Sequence, residues 1–132
     1  MDTCCKVSSF DHLVLTVKNL AESIAFYEKV LGMETIKFGP NGERTALQFG
    51  IQKINLHEVG KEFKPHALVP KAGSGDLCFV SENPLIKWQE HLARLNISVE
   101  EGPVPRTGAR GRMNSIYVRD PDGNLIEIAY YD

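Results

Sequence analysis

The sequence has no apolar run long enough to cross a bilayer, and its first nine residues lack the apolar core of a signal peptide. Membrane insertion and secretion are therefore not expected. Cysteine is scarce: three residues, two of them adjacent at Cys4 and Cys5, make no disulfide framework. A reducing, intracellular compartment, the cytoplasm, is the expected home. Cys4 and Cys5 fall in a tail, residues 1–9, that is expected to be flexible and that supplies no partners for a zinc site. Charge of neither sign is in excess, with 15 Lys and Arg against 17 Asp and Glu and a net charge of -2. That balance argues against nucleic acid or a membrane surface as a partner. No Gly-Lys-Ser/Thr phosphate loop, dinucleotide fingerprint or nucleophilic triad occurs.

What is present suits one domain with a real core: 132 residues, 42% hydrophobic and 24% charged. The most telling stretch is near the end. Asp120-Pro121-Asp122-Gly123-Asn124 is turn chemistry, because proline presets one backbone angle and glycine accepts positive φ. The residues after it alternate, so Ile126 and Ile128 share one strand face and Leu125, Glu127 and Ala129 the other. A carboxylate between two apolar neighbours needs pairing or a metal, since burying it unpaired is costly.

Taken in order, residues 10–17 alternate as a strand. Asn19 reads as a helix cap with Glu22 completing a capping box, Leu20, Ile24, Tyr27 and Leu31 form the apolar stripe, and Gly32 stops the helix. Strands are expected at 33–38, 44–49 and 51–59. A connector over 60–75 follows, and the pattern restarts with a strand at 76–80. Asn83 reads as the cap of a second helix with Pro84 at its first position, Leu85, Trp88, Leu92 and Leu95 as its stripe and Asn96 as its stop. Strands at 97–101, 114–119 and 125–130 complete the chain, with a basic loop over 102–113.

His12 and Asp76, Asn19 and Asn83, and Gly32 and Asn96 are each 64 residues apart. The chain is thus a duplication of a βαβββ unit, with modules over 10–59 and 76–130. The fold class expected is α+β: eight strands in mixed sheets, each unit burying one sheet face under its helix. The two free faces then curve into a cleft. Those faces carry His12, Asn55 and His57 from the first unit and Asp76, Cys78 and Glu127 from the second. A His/Asp/Glu set suits a divalent ion and leaves positions open for substrate. Each residue also has a plainer reading. His12 and His57 serve equally as strand-end and edge histidines, Asp76 as a turn cap, and Glu127 as the ion-pair partner of a loop arginine. Arg106, Arg110 and Arg119, with Tyr117, are the candidates to contact a substrate. The basic loop is either a lid that offers guanidinium groups to an anion or a solvated surface loop.

Asp11-His12-Leu13-Val14-Leu15-Thr16-Val17, Tyr27-Glu28-Lys29-Val30-Leu31-Gly32-Met33 and Asp120-Pro121-Asp122-Gly123-Asn124-Leu125-Ile126-Glu127 resemble the vicinal oxygen chelate superfamily. It includes glyoxalase I, extradiol dioxygenases, fosfomycin-resistance transferases and metal-free antibiotic-binding proteins. The resemblance covers residues 10–130. It implies a single domain over 10–132, a homodimer and a divalent metal ion (Zn, Mn, Ni or Fe). His12 and Glu127 match the first and last metal ligands, Asp76 stands where histidine is usual, and Asn55 stands where glyoxalase I has glutamate. Asn55 or His57 would complete the set, with Glu127 and His57 as the catalytic candidates. The implied function is a small metalloenzyme, a lyase, isomerase, transferase or dioxygenase, acting on an oxygen-rich small molecule. The alternative is a metal-free small-molecule-binding protein of the same fold.

Overall fold

The computed structural model describes residues 4–132. The first three residues of the expected tail lie outside them; residues 4–9 carry no helix or strand. The first unit is β1 (His12–Val17), α1 (Leu20–Leu31), β2 (Glu34–Phe38), β3 (Arg44–Phe49) and β4 (Gln52–Glu58). The second is β5 (Asp76–Val80), α2 (Leu85–Arg94), β6 (Glu101–Gly108), β7 (Gly111–Arg119) and β8 (Leu125–Tyr131). Each unit builds a four-stranded mixed sheet, in the orders β1-β4-β3-β2 and β5-β8-β7-β6. In both, the first strand pairs in parallel with the last and the remaining pairs are antiparallel. The duplication is therefore visible in topology as well as in sequence.

Local signals explain most element ends. The Asn19 side chain accepts from the Glu22 backbone N–H at 2.9 Å, which satisfies one orphan donor of α1. Both helices stop at a left-handed residue, Gly32 at φ 69° and Asn96 at φ 57°. The second helix starts one residue later than its cap signal suggests. Pro84, not Asn83, precedes the first turn, and no side chain caps it. The Asn83 backbone N–H is instead bonded to Ser81 Oγ at 2.9 Å.

The larger departure is the basic loop. Residues 102–113 are not a loop: β6 and β7 form a hairpin whose register runs to Gly108 opposite Gly111. Pro103 and Pro105 and the nearby glycines signal a loop, but β6 is the sheet edge, where a missing N–H costs no ladder bond. At 8 and 9 residues, β6 and β7 are longer than their counterparts β2 and β3, at 5 and 6. The lid is thereby replaced by an edge of the sheet.

One core cluster draws on both units. Leu15 and Val17 of β1, Ile54 and Leu56 of β4, Ile116 and Val118 of β7, and Ile126 and Ile128 of β8 meet Tyr27 and Val30 of α1 and Leu85 and Leu92 of α2. Burying each large aliphatic side chain contributes about 1.5–3 kcal/mol. Contacts between units reinforce it: the Phe49 and Phe79 rings meet edge-on at 5.3 Å, and His91 Nε2 donates to the Val30 carbonyl at 2.9 Å. His91 thus has a partner inside the fold. Because strand side chains alternate, each sheet turns its second face away from this shared core.

Candidate functional site

The open face of the first sheet carries His12, Val14 and Thr16 on β1 beside Lys53, Asn55 and His57 on β4. His12 is exposed, and its Nδ1 lies 2.8 Å from Asp11 Oδ1. A carboxylate on one ring nitrogen orients the imidazole and leaves Nε2 free as a ligand. Asn55 is level with Val14 and His57 with Thr16. At about 3.3 Å per residue, Asn55 lies roughly 7 Å and His57 roughly 13 Å along the strand from the level of His12. Asn55 is thus the better placed to act with His12. Its Oδ1 is buried without a hydrogen-bond partner among the described residues.

His57 is buried, its Nδ1 has no partner, and the Phe63 ring from the connector meets it edge-on at 5.6 Å. The Arg44 guanidinium stacks on the same ring at 4.5 Å. Burial, then the Arg44 charge, pulls the His57 pKa below its ordinary value and keeps the ring neutral. Neither Arg44 nor Phe63 stood out in the sequence. Arg44 opens a strand on the same face as His57, a signal that alternation offered, whereas the fold of the connector offered none.

On the second sheet, Asp76 and Cys78 of β5 stand beside Leu125, Glu127 and Ala129 of β8, with Tyr117 of β7 directly across from Glu127. Glu127 Oε2 is buried and has no hydrogen-bond partner among the described residues. A hollow of about 400 Å³ is lined by Asp76, Glu100, Glu101, Arg106, Tyr117, Leu125 and Glu127. Arg106 donates from Nε to the Tyr117 hydroxyl at 2.8 Å and from Nη2 to Glu101 at 2.7 Å. Arg119 forks onto Glu100 with two bonds of 2.9 Å. Arg110 lies at the hairpin tip with its guanidinium 4.3 Å from the Tyr131 ring, outside the hollow. The acidic partners Glu100 and Glu101 were missed, because their pairing depends on the hairpin register. The Cys78 thiol is pushed up to about 11 by burial first and the Glu127 carboxylate second, which suppresses its nucleophilicity.

His12 lines a different hollow of about 250 Å³, together with Asp11, Lys53, Phe79 and Asp76. The two hollows share Asp76 alone. Among the described residues no three His, Cys, Asp or Glu side chains of one chain converge on a point that would hold a metal ion. One chain therefore presents these donors in two separate hollows, with His12 in one and Glu127 in the other. Their donor types suit a divalent cation, and the unpaired buried oxygens of Asn55 and Glu127 are the atoms such a cation would satisfy.

Duplicated βαβββ units with parallel first-to-last strand pairing and polar donors on their open faces define the glyoxalase fold. Residues 9–128 match the Glyoxalase/Bleomycin resistance protein/Dioxygenase superfamily, and the chain belongs to that family. It is 55% identical over 125 residues to the glyoxalase domain-containing protein RDO1 of Mycosarcoma maydis, covering 95% of this chain and 69% of that protein. It is 51% identical over 125 residues to virulence protein STM3117 of Salmonella typhimurium, covering 95% of this chain and 85% of that protein. The crystal structure of STM3117 superposes with a TM-score of 0.94 over 97% of this chain and 100% of that one, at 49% identity. The metallothiol transferase FosB of Bacillus licheniformis is 28% identical over 128 residues, covering 93% of this chain and 75% of that protein.

Proposed function

We propose that the protein is a metal-dependent enzyme acting on a small, oxygen-rich substrate of carbonyl, carboxylate or phosphonate type, in a site that two copies of the chain complete together. The observation that carries this reading is Glu127 Oε2, an unpartnered carboxylate oxygen buried on the open face of a sheet. That oxygen takes no hydrogen bond from the described residues, which leaves it available to a cation. The relationship to a metallothiol transferase supports the class of chemistry.

His12 of one copy would meet Asp76 and Glu127 of the other, with Asn55 as a further ligand. A divalent ion held there would polarise neighbouring substrate oxygens and stabilise negative charge as it develops. His57, neutral and set back from His12, is suited to carry a proton. Arg106 is held by Glu101 until a substrate anion competes for its guanidinium, and Tyr117 fixes its orientation. The outer strands β1 and β5 leave their edges unpaired, and Val14 and Val80 beside those edges are 46% and 55% exposed. A second copy would cover both. No helix among the described residues is long and apolar enough to cross a membrane. The free thiols of Cys4, Cys5 and Cys78 suit a reducing cytoplasm.

Elemental analysis of protein purified without chelator, followed by thermal shifts with Zn, Mn, Ni and Fe(II), tests the reading. A cation at about 100 times its Kd adds roughly 2.7 kcal/mol of stability. Stoichiometric metal and a clear shift are expected. A metal-free protein that no cation stabilises would reject the enzyme in favour of a metal-free binding protein.

A further inference from the structure

A further hollow lies apart from the two that hold His12 and Glu127. It lies where the end of α1 meets α2 and encloses about 540 Å³, within the range of small-molecule pockets. Its floor is apolar and held in place. Val30 and Leu31 come from α1 and the Trp88 and His91 rings from α2, meeting edge-on at 5.7 Å. Trp88 Nε1 donates to Ser81 Oγ at 2.6 Å, and His91 Nε2 is tied to the Val30 carbonyl at 2.9 Å. Both rings are therefore anchored before any ligand arrives, so little ordering remains to be done on binding.

The rim is cationic. Lys29, Lys87 and Arg94 stand around the floor and are exposed, and none takes part in an ion pair among the described residues. Among the described residues, Glu90 is the one carboxylate in the wall. The chain as a whole is net negative at -2, so this local excess of positive charge runs against the molecule's overall sign. A concave wall of one sign concentrates counter-ions. The volume limits the occupant to a small molecule, the floor asks for a flat or aliphatic body, and the rim asks for negative charge.

We propose that the groove between the two helices is a second binding site, separate from the paired sheet faces, for a small organic anion with an aromatic or aliphatic body. The chain has one tryptophan, and it forms the floor, so its emission reports occupancy. The probes are 8-anilinonaphthalene-1-sulfonate, its uncharged analogue N-phenyl-1-naphthylamine, and inorganic sulfate, each titrated against the metal-free protein.

The sulfonate is expected to quench Trp88 saturably, the uncharged analogue to bind at least tenfold more weakly, and sulfate to leave the emission unchanged. The double variant Lys87→Gln and Arg94→Gln should raise the Kd for the sulfonate at least tenfold while leaving the melting temperature and the metal-induced thermal shift as in the parent. Equal quenching by the charged and uncharged probes would overturn the proposal. So would a double variant that binds the sulfonate as the parent does, since quenching would then come from a probe bound elsewhere. Loss of metal binding in other variants leaves this readout untouched, so the two sites succeed or fail separately.

Discussion

The Tyr27 hydroxyl donates to Asp120 Oδ2 at 2.7 Å, joining the helix of the first unit to the turn that launches the last strand of the second. Asp120 also accepts from the backbone N–H groups of Asp122 and Asn124, both at 2.9 Å, and from the Asn124 amide at 2.8 Å. Tyr27 and Asp120 are both buried. Burial, and then the Asp120 charge, drives the Tyr27 pKa far upward, so the phenol stays a donor. Through this bond and the shared core, the placement of Glu127 depends on the first unit as well as on its own.

Removing that hydroxyl should therefore destabilise the whole chain. Tyr27→Phe is expected to cost roughly 1–2 kcal/mol in urea unfolding, and Asp120→Ala roughly 3 kcal/mol, because several donors then lose an acceptor. A neutral Tyr27→Phe would mean that the donors of Asp122 and Asn124 already satisfy Asp120.

Two glycines separate backbone strain from collision. Gly32 is left-handed, but a methyl group there meets nothing within 4 Å. Gly32→Ala should cost about 1–2 kcal/mol, the penalty for a side chain in that conformation. At Gly102 a methyl group would collide with the Ser115 backbone carbonyl as well as take a φ of +106°. Gly102→Ala should cost clearly more and disturb the β6–β7 hairpin, which melting curves and amide exchange of β7 will compare.

Stability should fall in mild acid through His57. Its folded pKa lies below the ordinary 6.5, because of burial and the nearby Arg44 charge. The unfolded chain then takes up a proton that the folded chain resists. The stability present above about pH 6.5 is accordingly lost as pH falls through the folded value. His57→Gln should flatten that part of the stability profile between pH 7 and pH 5; an unchanged profile would assign it to other groups.

Cys78 reports on Glu127. With its thiol near 11, alkylation of Cys78 at pH 8 should be slow and should climb with pH. Glu127→Gln removes the neighbouring charge, so Cys78 should react several-fold faster at pH 8. The same variant should keep the fold and weaken divalent-ion binding sharply. Mass spectrometry of the labelled peptide reads the first effect and thermal shift the second.

Assembly is tested by mixing. Light scattering at micromolar concentration should give the mass of a dimer. Individually, His12→Ala and Glu127→Ala should each lose divalent-ion binding. Mixed with subunit exchange, they should recover part of it, since one pairing restores an intact set of ligands. Proven exchange without recovery would put all ligands in one chain.

Alternation and turn chemistry alone made the two βαβββ units legible. The spacing between Gly32 and Asn96 anticipated two left-handed helix stops, and the residues on either side of Glu127 separated the core face from the open one. These are local properties, because a strand's period and a turn's φ are set by residues within a few positions. The strand over 114–119 was legible, but the hairpin that replaces the expected loop over 102–113 was not, because prolines signal a loop and are nonetheless tolerated on an edge strand. Nor was the pairing of Arg106 with Glu101 or of Arg119 with Glu100, which depends on register. Tertiary structure alone decided that both helices share one core, which turns the two open faces away from it and leaves His12 and Glu127 in separate hollows. That arrangement rests on contacts between residues far apart in the chain, such as Tyr27 and Asp120, 93 apart, and Lys18 and Asp122, 104 apart, and no periodicity of the chain encodes it.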